Sequence, residues 1–218
     1  MRGADAMIAR ARHLLRRIWR EDSGVAFIEF AYAAPVFLVL ILVGIETANL
    51  ALAHLRVSHL AMTVADNAGR TTSGVDEAHV YEVFAGAGVI GSGIEFEENG
   101  RLVLSSLEHN GRNGGNEGQT IVWQRCWGDL DIDPAYGVQG DGADDDSLPD
   151  GLGEPGNQIM ALPDTAVMFV EATYDYQPIV GTGWFTPPQI RYESAFNVRG
   201  RMNNNITNTQ SLTQLTCD

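Results

Sequence analysis

The chain has 218 residues and a net charge of −14, from 14 basic residues, all of them Arg, against 28 acidic ones. That balance excludes a nucleic-acid partner, which needs a basic footprint against the phosphates, and a hydrophobic content of 44% excludes wholesale disorder. Two cysteines exclude a disulfide-rich miniprotein and a four-thiolate zinc centre.

The charge is unevenly spread. Residues 1–24 carry six Arg against three acids, a net of +3, and residues 25–218 carry eight Arg against 25 acids, a net of −17. Between them lies VAFIEFAYAAPVFLVLILVGI, Val25 to Ile45, in which only Glu29 is charged. As a helix rising about 1.5 Å per residue it spans about 31 Å, the thickness of a bilayer's hydrocarbon core. Cleaved secretory signals have shorter apolar stretches, so a retained span is expected. The Arg-rich leader places residues 1–24 in the cytoplasm and the acidic remainder outside, through the positive-inside rule. Pro35 inside the span invites a kink.

Beyond Glu46, Leu50, Ala53, Val57, Leu60, Ala61, Val64 and Ala68 recur at spacings of three and four, an apolar stripe on one helical face. One transmembrane and amphipathic helix is therefore expected over 25–69, stopping at Gly69. A domain over 70–218 follows. Residues 76–90 read as a short helix started by Asp76 and Glu77, with Val80, Val83, Phe84, Ala87 and Val89 as its apolar side. Gly86, Gly88 and Gly91 match the dinucleotide pattern G-x-G-x-x-G, but they end a helix where the pattern requires a strand before and a helix after.

Four strand-like runs follow: Leu102–Leu107, Gln119–Trp127, Ala166–Tyr176 and Gln189–Arg199, the first two forming a pair across an Asn- and Gly-rich loop. The expected class is α+β, with the long helix packed on a small antiparallel sheet. Residues 129–158, rich in Asp, Gly and Pro, read as a long exposed acidic loop, dispensable for folding. Asp141, Asp144, Asp145 and Asp146 offer the hard oxygens that calcium takes, yet the ordered Asp ladder and distal Glu of a calcium loop are missing, so solvated turns are expected and no metal. The polar tail after Gly200 is expected to fray unless Cys217 ties it down. As the only two cysteines, both on the oxidising side, Cys126 and Cys217 are expected to pair.

The segment EDSGVAFIEFAYAAPVFLVLILVGIE resembles the start of the TadE-like minor pilins, or pseudopilins, of the tight-adherence pilus system. Gly24 followed by an apolar run with Glu29 at the fifth position is similar to a type IV prepilin processing site. The segments Ile121–Gly128 and Val167–Pro178 resemble the extracytoplasmic half of the same family, and 129–165 does not. The resemblance implies a prepilin peptidase that cuts between Gly24 and Val25, and a Glu29 that pairs with a subunit's new terminal amine during assembly. The implied partners are the membrane, the peptidase, other pilin subunits and the assembly machinery. The implied location is the inner membrane, single-pass, with a periplasmic domain that can enter a surface pilus. No catalytic residue and no cofactor are expected: no G-x-S-x-G occurs, and the five His show no metal spacing. The alternative reading is a single-span extracytoplasmic binding or sensor protein.

Overall fold

The computed structural model describes residues 12–13, 23–71, 74–181, 186–198 and 204–217. The chain divides into two units, Met1–Ala48 and Asn49–Asp218. Helix α1, Ser23–Arg70, contributes to both and runs through Pro35. Most of the leader lies outside the described residues.

In the first unit α1 is apolar all round and buries almost nothing. Its most apolar stretch has a mean hydropathy of 2.3 and is wholly exposed; Phe27, Phe30, Tyr32 and Phe37 each leave two thirds or more of their surface uncovered. An apolar helix that finds no protein partner is one that lipid suits. This helix is long and apolar enough to cross a membrane.

The second unit is α+β. From Asn49 onward α1 turns amphipathic: Ala53, Val57, Leu60, Ala61, Val64 and Ala68 are buried as the stripe predicts, with Ala65 added and Leu50 half-buried beside them. Short strand β1, Val75–Asp76, leads into helix α2, Glu77–Gly91. Asp76 caps α2 by accepting from the Ala78 amide at 3.1 Å, the role its short carboxylate suits. Val80, Val83, Phe84 and Ala87 face inward, whereas Val89 is 77% exposed, off the apolar face that the sequence assigned it to. Gly86, Gly88 and Gly91 lie inside this helix. A Cβ on Gly91 would come within 2.7 Å of Phe96 and 3.2 Å of Leu60, so this glycine is there for close packing.

A one-turn helix α3, Phe96–Asn99, delivers Phe96 into a stack with Trp127 and Tyr174 at ring-centroid distances of 6.0 and 5.9 Å. Strands β2, Gly100–His109, β3, Gln119–Trp127, β4, Ala166–Asp175, and β5, Gln189–Asn197, form an antiparallel sheet in the order β3-β2-β4-β5. The expected β2–β3 pair is present. A bulge between Ser106 and Leu107 shifts its register. Strand β6, Ile206–Thr207, pairs in parallel with β1. Strands this short leave no periodic trace, and the sequence pattern missed both.

Alternation along the strands gives the sheet two faces. The first carries Leu102, Leu104, Trp123, Met168, Val170 and Ala172, which share one core with the α1 stripe and with α2. The second carries Leu107, Ile121, Val167 and Phe169, covered by Leu152 and Ala161 with Tyr136 and Leu148 half-buried against them. Most residues of 129–158 are exposed, as expected of the acidic loop, but part of the segment packs in this second core. Its Asp and Glu side chains point largely to water and Val138 is exposed, while Leu152 is buried in the core, Tyr136 and Leu148 pack against it, and part of the backbone bonds to the sheet. The backbone closes the outer edge of β3: the Gln119 amide donates to the Leu148 carbonyl at 2.8 Å, the Ile121 amide to the Asp141 carbonyl at 3.1 Å, and the Gly140 amide to the Ile121 carbonyl at 2.8 Å. An edge strand covered in this way cannot pair with another chain. Gly142, at φ +74°, sits where a Cβ would strike the Gln119 carbonyl.

Replacing Gly140–Gly151 by a short Gly-Ser linker therefore removes three ladder bonds and the cover from Leu148. At about 1 kcal/mol per bond and 1–2 for the leucine, the thermal midpoint of the detergent-held full chain should fall by about 10 °C or more. Near-UV circular dichroism measures it; an unchanged midpoint would restore the dispensable loop.

Candidate functional site

Gly24, Val25 and Glu29 lie in the first two turns of α1. All three are exposed, and a Cβ on Gly24 would meet nothing within 4 Å. The glycine is not demanded by packing in this chain. Glu29 lies four positions after Val25, about 6 Å along the axis, so both fall on one helical face. Glu29 is the only carboxylate between Val25 and Ile45, and among the described residues it makes no ion pair. A bare carboxylate in hydrocarbon costs about 2.5 kcal/mol or more, which favours a partner from outside the chain.

The four clustered aspartates do not converge. Asp141 accepts from the Val138 amide at 2.8 Å, Asp144 pairs with Arg112, Asp145 accepts from the Ser147 amide at 3.0 Å, and Asp146 is exposed. The Ser147 hydrogen bonds hold the Asp145 carboxyl below its ordinary range. Among the described residues no three potential metal ligands come together.

Cys126 and Cys217 are joined, with Cα atoms 4.9 Å apart and 91 positions between them in sequence. The tail is docked along its described length. The Cys126 amide donates to the Leu215 carbonyl at 2.8 Å, Trp123 Nε1 to the Asn204 carbonyl at 3.1 Å, and the Tyr81 hydroxyl to the Thr213 carbonyl at 2.7 Å. Asp76 accepts from Thr207 Oγ1 and the Thr209 amide at 2.8 and 2.9 Å as well as capping α2, and these bonds pull its carboxyl down to about 2.

Sequence reasoning missed a cleft of about 310 Å³ on the polar half of the second sheet face. Its floor is Arg101 on β2, Glu171 on β4, and Arg191 and Glu193 on β5. Above them stands the segment carrying Asp133, Ala135 and Tyr136. Antiparallel register sets Glu171 directly opposite Glu193, an arrangement in which like charges repel. The Ala135 amide donates to Glu171 Oε2 at 2.8 Å, and the Tyr136 hydroxyl donates to Glu193 Oε1. Glu171 is 7% exposed. Burial pushes its carboxyl up to about 7, against the Ala135 hydrogen bond, while Glu193 raises it further and Arg191 lowers it. Burial and the neighbouring Glu193 likewise push the Tyr136 phenol up. The sequence did hold one signal: a lone acid in the apolar run VMFVEATY.

No protein-family model, curated protein or solved structure matches the chain.

Proposed function

We propose that the chain is a minor pilin or pseudopilin of a tight-adherence type system. It is held in the inner membrane by the first part of α1, it serves the assembly or priming of a pilus by helix packing, and it is not an enzyme. The reading rests on one observation: a glycine at the polar boundary of an apolar, protein-unburied helix, with a single carboxylate at the fifth position after the bond to be cut. Cutting at Gly24–Val25 removes the basic leader and creates an amine one helical turn from Glu29. Amine and carboxylate on neighbouring subunits then neutralise each other in the bilayer, which removes the cost of each charge alone.

Gly24→Val should leave an uncut precursor, because a branched side chain obstructs a protease that approaches the backbone closely. Glu29→Ala should yield a cut, membrane-held subunit that fails to support pili. Intact mass of the membrane-extracted chain, with the cognate peptidase present, reads the first result, and sheared-pilus yield the second. A native chain that still begins upstream of Val25 overturns the pilin reading. The second reading, a single-span extracytoplasmic binding or sensor protein, would then take its place; the cleft over Glu171 is the observation that favours it.

A further inference from the structure

The cleft holds a charge arrangement that the fold itself does not complete. Glu171 is more than nine-tenths buried and lines the cleft, and its Oε1 has no hydrogen-bond partner. Glu193 faces it across the β4–β5 pair. The guanidiniums of the floor hydrogen-bond elsewhere: Arg101 donates from Nη1 to the Gly128 carbonyl at 2.9 Å while its buried Nε has no partner, and Arg191 donates from Nε to Gln189 Oε1 at 3.0 Å. Asp133 and Glu154 add two further carboxylates at the rim. Four acids therefore surround two arginines, neither of which forms an ion pair with Glu171 or Glu193 among the described residues. A bare metal ion suits the site poorly, since no three ligating side chains converge among the described residues and one oxygen on each of the paired carboxylates is already taken. The ring of Tyr136 and the methyls of Val103 give the cleft an apolar wall, against which a planar or aliphatic cation can lie.

We propose that this cleft binds a small organic cation through a guanidinium or ammonium group. Glu193 supplies the accessible acceptor and Glu171 the buried one. Every lining residue belongs to the second unit, so the proposal does not depend on the pilin reading. Protonation of Glu171 competes with the ligand's charge. Of the groups around it, Glu193, Asp133 and Glu154 add to the attraction, Arg101 and Arg191 oppose it, and Tyr136 stays protonated. Binding should therefore tighten as pH rises through 7.

The probe is L-argininamide acetylated on its α-amine, so that the guanidinium is its only charge, titrated calorimetrically into the detergent-solubilised full chain at pH 5.5 and pH 8, with L-citrullinamide acetylated in the same way, which is neutral, and calcium chloride as parallel arms. Saturable binding of argininamide, tighter at pH 8 and absent for citrullinamide, is the expected result. Glu171→Gln should weaken it about tenfold or more and abolish its pH dependence. That variant keeps an acceptor for the Ala135 amide, and circular dichroism verifies its fold. Glu193→Gln, at an exposed position, provides the same test should Glu171→Gln misfold. Absence of saturable binding, equal binding by citrullinamide, unchanged affinity in the folded variants, or calcium binding in its stead overturns the proposal.

Discussion

Arg125→Met should destabilise the second unit by about 3–5 kcal/mol, the ordinary cost of leaving one member of a buried ion pair alone. Arg125 and Glu77 have side chains 3% and 1% exposed. Nε of Arg125 donates to both Glu77 oxygens at 2.9 and 3.0 Å, and Nη2 donates to Oε1. Nη1 reaches the Gln124 carbonyl at 2.7 Å and Gln139 Oε1 at 3.1 Å. The guanidinium thus ties the first turn of α2 to the edge strand β3 and to the acidic segment. Glu77 also sits at the positive end of the α2 dipole, which favours its charge. Without Arg125, its carboxylate must either stay charged in a dry site or take up a proton. Glu77→Leu combined with Arg125→Met removes both charges and should recover most of the loss, because a well-packed apolar pair often matches a buried salt bridge. Urea unfolding of the full chain in detergent, followed by Trp fluorescence, gives the cycle. A double variant as unstable as Arg125→Met would assign the loss to packing and hydrogen bonds to Gln139, not to the stranded charge.

This pair illustrates what the sequence made legible and what it did not. Asp76 and Glu77 announced a helix start, because caps and dipoles act within a few residues. That Glu77 is sealed against a residue 48 positions away has no local signature. The α1 stripe was legible for the same reason as the cap: its spacing of three and four is a property of one helix. The four strands showed through their β-branched and aromatic content, but their order did not, since pairing is set by contacts distant in the chain. The packing of part of the acidic segment was not legible for a physical reason. Its Asp residues do face water, and they dominate its composition, while Tyr136, Leu148 and Leu152 reach the sheet at irregular intervals that fit neither period.

The two candidate sites divide along the same line. Gly24, Val25 and Glu29 form a contiguous pattern, readable without a structure. The cleft needs β2, β4 and β5 side by side and a roof from a fourth segment, so only its lone buried acid was visible beforehand.

Removal of the Cys126–Cys217 link should lower stability by about 2–4 kcal/mol while leaving the native fold in place. The link closes a long loop, 91 positions in sequence. In the chain-entropy account such a crosslink restricts the unfolded ensemble by about 4–5 kcal/mol, with measured values commonly smaller. The native tail has other holds. Leu215 packs against the main core, its carbonyl accepts from the Cys126 amide, and β6 pairs with β1 through Val75–Ile206 and Asp76–Thr207. These contacts keep the tail docked in the folded state once the covalent bond is gone, so the effect falls on the unfolded state. The variant Cys126→Ala with Cys217→Ala tests this without leaving reactive thiols. Its far-UV spectrum should match the parent's and its urea midpoint should drop. Amide exchange at Cys126 and Trp123 should quicken only modestly, because the bonds that protect the tail remain. Alkylation of the unreduced, unfolded parent should label no cysteine. Two labelled thiols, or an unchanged midpoint in the alanine variant, would show that the tail is held by its hydrogen bonds and by Leu215 alone.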